Sequence, residues 1–268
     1  MNCGLWDRMT IKKRDLELQT LEAWQTHAGP KSASHWVDGR SAKEAARVWL
    51  DAGVGNLPSE VAALLESHAA FGNVLRWEAE PEAKLPFDAF AGEPRNSDLV
   101  VHAEDAHGRF LIAVEAKADE SFGETVAETL AAALERYLSN VGSNGIRRVQ
   151  QLAQALLGAR LPGDPASKDL RYQLLTASAG ALCEAERRNY PRALLLIQEF
   201  SSHVTADDKH ERNAADLGLF LRRLTHGAAS SLDAGQICGP IPVPGKPLLN
   251  GTAELFIGKV RRNLRRLP

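Results

Sequence analysis

Residues 98–117 read Asp98-Leu-Val-Val-His102-Ala-Glu-Asp105-Ala-His-Gly108-Arg-Phe110-Leu-Ile-Ala-Val114-Glu115-Ala-Lys117. Two apolar runs rich in β-branched residues, 98–102 and 110–114, flank a short break containing glycine, the pattern of a β-hairpin. A turn centred between Ala106 and His107 pairs Asp105 with Gly108, and counting outward sets Asp98 opposite Glu115. Side chains directly opposed on neighbouring strands place their Cβ atoms roughly 4.5–5.5 Å apart. Lys117, two residues past Glu115, shares its face because side chains alternate along a strand. Leu99, Val101, Phe110, Ile112 and Val114 make the other face apolar throughout.

Two carboxylates facing each other across a strand pair repel, and burial raises the pKa of at least one of them. A divalent hard cation relieves that repulsion, since Mg²⁺ or Mn²⁺ takes oxygen ligands from one or two carboxylates together with phosphate and water. Such a cation polarises a phosphoryl oxygen, and a lysine beside it supplies a compact charge that orients water or stabilises developing negative charge. The plainer reading is a rim salt bridge, with Lys117 neutralising Glu115 and Asp98 only opening a strand. The string (D/E)-x-K occurs three times, at Glu82-Ala-Lys84, Glu115-Ala-Lys117 and Asp207-Asp-Lys209. About one match is expected by chance in a chain this charged. Only Glu115-Ala-Lys117 ends an apolar strand and has an acidic residue on the neighbouring one.

Working outward, residues 14–27 read as a helix ended by Gly29 and Pro30. Ser41 with Glu44 three residues on forms a capping-box signal for a second helix, and Ser59 to about Ala70 reads as a third. Asn73–Glu78 is a short strand candidate, and Pro81–Arg95 reads as a loop. Beyond the hairpin, helices are expected over 123–140 and 145–158, then from a cap at Asp169 to about Arg188. Arg192–Phe200 is an unbroken apolar strand, as expected at the centre of a sheet covered on both faces. A helix over 209–225, a Pro/Gly linker over 239–245 and an ambiguous segment 254–260, leaning toward an edge strand, complete the chain. The expected organisation is a helical N-terminal subregion over 1–58, a core over 59–200 ordered helix, three strands, helix, strand, and a C-terminal helix with a basic tail over 201–268. This is an α/β class with a central mixed sheet flanked by helices.

A formal net charge of -2 announces no global basic field, so affinity for a polyanion would come from local clusters such as Arg147/Arg148, Arg187/Arg188, Arg222/Arg223 and the tail from Lys259 to Arg266. Three scattered cysteines without a CxxC pair argue against disulfides and structural zinc. With no signal-peptide stretch and no long apolar run, a cytoplasmic protein without a membrane span is expected. Eight single histidines form no zinc pattern. Serine-hydrolase elbow, P-loop and dinucleotide glycine motifs are missing. The five tryptophans, all in the first third, are expected to pack among the N-terminal helices.

Asn-Ser-Asp98 opening one strand and Val-Glu115-Ala-Lys117 closing the next, followed by helix and apolar strand, resembles the PD-(D/E)XK (restriction-endonuclease-like) nucleases over residues 59–200. Ser97 stands where that superfamily usually has proline. The strings Glu115 to Gly123 (EAKADESFG) and Arg171-Tyr-Gln-Leu-Leu further resemble a poorly characterised bacterial group within it. The resemblance implies an αβββαβ core and an endonuclease-like hydrolase that binds and cleaves DNA with Mg²⁺ or Mn²⁺. It implies Asp98 and Glu115 as metal ligands, Lys117 as the catalytic lysine, Gln173 completing the site and Glu66 as a further ligand on the first core helix. It also implies Arg171 and Tyr172 as phosphate contacts, and a homodimer, although no heptad or interface signal is present in the sequence. Two rivals remain: an inert member of the same fold that binds nucleic acid or a protein partner, and a metal-dependent hydrolase of smaller phosphodiesters.

Overall fold

The computed structural model describes residues 9–30, 32–90, 94–203 and 205–264. Its centre is the hairpin of β4 (Arg95–Asp105) and β5 (Gly108–Lys117). The register is Asp105↔Gly108 through Leu99↔Val114, as the sequence predicts. β3 (Arg76–Leu85) lies antiparallel against β4, and β1 (Thr10–Lys13), turned back on β2 (Leu16–Glu17), runs parallel to β3. On the other side β6 (Arg192–Ser201) is parallel to β5, β8 (Glu254–Asn263) is parallel to β6, and β7 (Gln236–Ile241) closes the edge antiparallel to β8. Among the described residues these eight strands form one mixed sheet in the order β2-β1-β3-β4-β5-β6-β8-β7.

The helices are α1 (Leu21–Ala28), α2 (Ser41–Asp51), α3 (Ser59–Glu66), α4 (Val126–Ser139), α5 (Gly145–Leu156), α6 (Tyr172–Arg187) and α7 (Asp207–Leu224). Helices α1, α2 and α3 cover one face, where Trp24, Trp36, Trp49 and Trp77 are buried with Val101, Ile112 and Val114. Helices α5, α6 and α7 cover the other, against Val100, Leu111, Ala113 and Leu195. β6 is therefore covered on both sides, which is why its sequence is apolar without alternation. Helix α6 is buried nearly all round, as a helix carrying Ala and Leu on every side must be. Gly180 lets it approach the sheet: a Cβ there would stand 3.0 Å from the Leu85 Cβ.

Several expectations from the sequence are corrected. The segment 14–27 is not one helix. Arg14, with φ 56, turns β1 into β2 before α1 begins, and Lys12 and Lys13 ion-pair with Glu78 and Glu80 on β3. Pro81–Leu85 belongs to β3 rather than to a loop. Among the described residues β1 pairs with β3 at Glu78 and Ala79 and not at the proline, so Pro81 leaves no described partner short of a hydrogen bond. Ser41 does not cap α2: its hydroxyl donates to Glu120, and Glu44 accepts from Gly39 N and Arg47. The capping box instead forms at Thr125 and Glu128, starting α4. Asp169 lies in a 3-10 turn, and Arg171 is the residue before α6. The first three residues of the expected linker are the end of β7, and 254–263 is an interior strand, not an edge. Arg265 and Arg266 of the basic tail, Trp6 and Cys3 lie outside the described residues.

Candidate active site

At the Lys117 end of β5, the ladder with β4 is described as far as Leu99↔Val114. One residue farther, the Asp98 carboxylate reaches across and accepts from the Ala116 amide at 2.7 Å, while Ser97 Oγ donates to Val114 O at 3.1 Å. Asp98 is thus held against β5 beside Glu115. The Glu115 carboxylate is only 1% exposed. One of its oxygens accepts from Gln173 Nε2 at 2.8 Å, and the other is ion-paired with the Arg95 guanidinium. Gln173 reaches it from the first turn of α6.

Lys117 is buried, with Nζ 5.4 Å from the centroid of the Phe122 ring. Burial pulls its pKa below the ordinary lysine value, and the Arg95 charge adds to that, while Asp98 and Glu120 act in the opposite sense. Arg95 is lowered to about 10, chiefly because burial disfavours its charge, with Asp98 opposing. The rim-salt-bridge alternative predicts a direct Lys117–Glu115 pair; the partner Glu115 takes is Arg95.

The structure therefore brings four of the expected residues together: Asp98, Glu115, Lys117 and Gln173. It does not bring in Glu66. Helix α3 buries Val61, Leu64 and Leu65 against the opposite sheet face, and Glu66 is exposed beside Gly72 and Asn73 near the hairpin end. Arg171 is occupied elsewhere, donating to Asp216 at 2.9 Å and to Gly123 O at 2.8 Å. Tyr172 borders a cavity that also touches Gln173 and Arg95.

Arg95 is the residue that strand alternation misses. Counting back from Asp98 puts Asn96, not Arg95, on the face of Asp98. In the structure the alternation breaks where Glu82, with φ 49, stands between the pairs Pro81↔Leu99 and Ala83↔Ser97. Trp77 and Ala79 pack toward the N-terminal helices, but Ala83 and Leu85 pack toward α6. Arg95, paired with Leu85, follows them. A positive-φ glutamate has no sequence signature that would have revealed this.

Asp98 and Glu115 are the residues that could hold a hard divalent cation, since such ions take carboxylate oxygens. They offer carboxylate oxygens from two adjacent strands, and the arginine drawn onto Glu115 marks a buried position that calls for positive charge. Among the described residues no group of three or more His, Cys, Asp or Glu converges, so a cation there would have to complete its shell with water or phosphate, as Mg²⁺ commonly does.

An α/β protein with a mixed sheet and two neighbouring carboxylates beside a buried lysine is the class that fold and site define. The family model described as "Domain of unknown function (DUF6946)" matches residues 17–263, and the chain belongs to that family. No curated protein and no solved structure matches it.

Proposed function

We propose that this protein is a metal-dependent nuclease that hydrolyses phosphodiester bonds in DNA, built on a restriction-endonuclease-like core. The observation that carries the reading is the convergence of Asp98, Glu115, Lys117 and Gln173 at one end of the central hairpin. Asp98 and Glu115 are the residues that would hold Mg²⁺ or Mn²⁺, and such a cation supplies Lewis-acid stabilisation of phosphoryl charge. Gln173 fixes the Glu115 carboxylate through its second oxygen. Lys117, with its proton affinity lowered by burial, accepts a proton from the attacking water or, still charged, stabilises the departing oxygen.

The test is cleavage of plasmid and linear DNA in Mg²⁺ or Mn²⁺ by the wild type, Asp98→Asn and Lys117→Met, with Mn²⁺ binding followed by calorimetry. Activity should fall by about 100-fold or more in both variants, and Mn²⁺ binding should weaken in Asp98→Asn. The wild-type rate should rise with pH toward a midpoint below the ordinary lysine value if the neutral amine is the working form, and this limb should vanish in Lys117→Met. Undiminished cleavage in Lys117→Met would overturn the reading. Turnover of a small diester such as bis(p-nitrophenyl) phosphate, without DNA cleavage, would favour a smaller substrate.

A second reading has its own observation. The Arg95 guanidinium already neutralises Glu115, which is how an inert member of the fold that binds nucleic acid or a protein partner would fill a vanished metal position. DNA binding with no cleavage and no Mn²⁺ binding under any condition would establish that reading.

A further inference from the structure

Beside the carboxylate cluster lies a cavity of about 500 Å³ lined by residues from 86–90 and 94–95, the start of α4, α5 and the first turns of α6. Its walls include Phe87, Phe90, Phe122 and Tyr172, with Arg95 and Arg148 as its cationic groups. Phe90 and Tyr172 are half-buried and present ring surface. Arg148 is held by Asp88 through two hydrogen bonds, at 2.6 and 3.0 Å, so its charge is already matched. Arg95 differs. Its side chain is 11% exposed, it is ion-paired with Glu115 while the Asp98 charge also favours its charged form, and among the described residues its buried Nε has no hydrogen-bond acceptor. The cavity thus combines aromatic walls with one incompletely satisfied guanidinium on the side nearest Asp98, Glu115 and Lys117.

We propose that this cavity receives one unpaired nucleotide of a nucleic-acid strand, its base against Phe90 and Tyr172 and its phosphate on Arg95. The volume falls within the range that encloses a small ligand. Aromatic side chains stack any base because every base has a π-face. Arginine is the side chain whose planar fork matches phosphate geometry. The inference rests on the nuclease reading and deepens it: a nucleotide seated here puts its neighbouring phosphodiester at the Glu115 end of the cavity. Arg95 is then a substrate-binding residue. Phosphate competes for its guanidinium and leaves Glu115 with the Gln173 bond, exposing a carboxylate oxygen that arginine otherwise covers.

The test uses the full chain in metal-free buffer, titrated calorimetrically with deoxyadenosine 5′-monophosphate, deoxyadenosine and inorganic phosphate. The nucleotide should bind, and the nucleoside and phosphate should each bind at least about tenfold more weakly. Arg95→Gln should weaken nucleotide binding about tenfold or more. Because that change strips Glu115 of its counter-charge and can unfold the chain, Phe90→Ala and Tyr172→Ala carry the same test at half-buried positions, each with a loss of about fivefold or more. No binding of the nucleotide up to about 10 mM overturns the proposal. So does binding unchanged in both aromatic variants, or phosphate binding as tightly as the nucleotide. The assay needs neither cation nor turnover. Nucleotide binding without DNA cleavage would therefore sink the enzyme reading alone, and cleavage without nucleotide binding would sink this one.

Discussion

The two ends of the central hairpin each bury an arginine against a carboxylate, and they do it differently. At the turn end, Asp105 accepts from both terminal nitrogens of Arg192, at 2.9 and 2.8 Å, and from the amides of His107 and Gly72. Arg192 is packed between the rings of Phe71 and Phe110 and also donates to Gly108 O. At the open end, Glu115 has two donors, Arg95 and Gln173, a lysine stands nearby, and a cavity lies alongside. Four donors on one carboxylate leave nothing to bind. Two donors, a spare amine and an open space leave room for a ligand. The turn end is saturated with hydrogen bonds, and the open end is where the proposed ligand would sit.

Substitutions should separate the two most sharply. Asp105→Asn strands Arg192 in an apolar site, and denaturant unfolding should show a loss of roughly 3–5 kcal/mol, the usual cost of breaking a buried pair. A loss below about 1 kcal/mol would mean that the turn end is not the structural one.

Acid should act on the turn end and on His102 between the two. His102 is lowered to about 4, first by burial and then by the charges of Arg188 and Arg187. A histidine held neutral in the folded state stabilises fully above its ordinary pKa of 6.5, and that stability is lost as pH falls from 6.5 to about 4. The span corresponds to about 3 kcal/mol at most. Burial pulls Asp105 upward, but the Arg192 guanidinium and the His107 and Gly72 amides outweigh it and hold its pKa below 3.8. Its contribution is present above that value and is lost only at more acid pH. Chemical denaturation across pH should show the first loss disappear in His102→Gln and the second in Asp105→Asn.

The open end should respond in the opposite sense. Lys117→Met removes a buried amine, and unfolding at neutral pH should show a gain of about 1 kcal/mol, as at sites where function is held against stability. In the wild type the desolvation cost of Lys117 eases as pH rises toward 10.5, so the gain should shrink there. A destabilised Lys117→Met would make the lysine a structural member of the core.

Much of this was legible in the sequence, and the reasons are local. The register of the hairpin follows from strict alternation and a two-residue turn, so Asp98, Glu115 and Lys117 could be placed on geometry alone. The unbroken apolar run of β6 announced a central strand. What escaped depends on the third dimension. Arg95 enters the site because Glu82 turns the strand at positive φ, which reverses alternation without changing the pairing count. β1 and β2 were hidden because Leu16, Leu18, Leu21 and Trp24 also fit a helical stripe. Glu66 failed because chain position sets which helix precedes a sheet but not which face that helix covers.

The placement of β8 has a consequence for how the molecule is made. Residues 254–263 lie between β6 and β7 along ten paired positions from Arg192↔Glu254 to Ser201↔Asn263, so the buried apolar strand β6 waits for a partner synthesised some sixty residues later. Until then its edge is bare, and a nascent or shortened polypeptide lacking that stretch presents a template for aggregation. The cluster at Glu199, which binds His210, Lys259 and Arg261, likewise closes only after translation has passed that stretch. A ribosome-bound chain arrested before Glu254 holds the hairpin and both strands that flank it but lacks the strand that covers the far edge of β6.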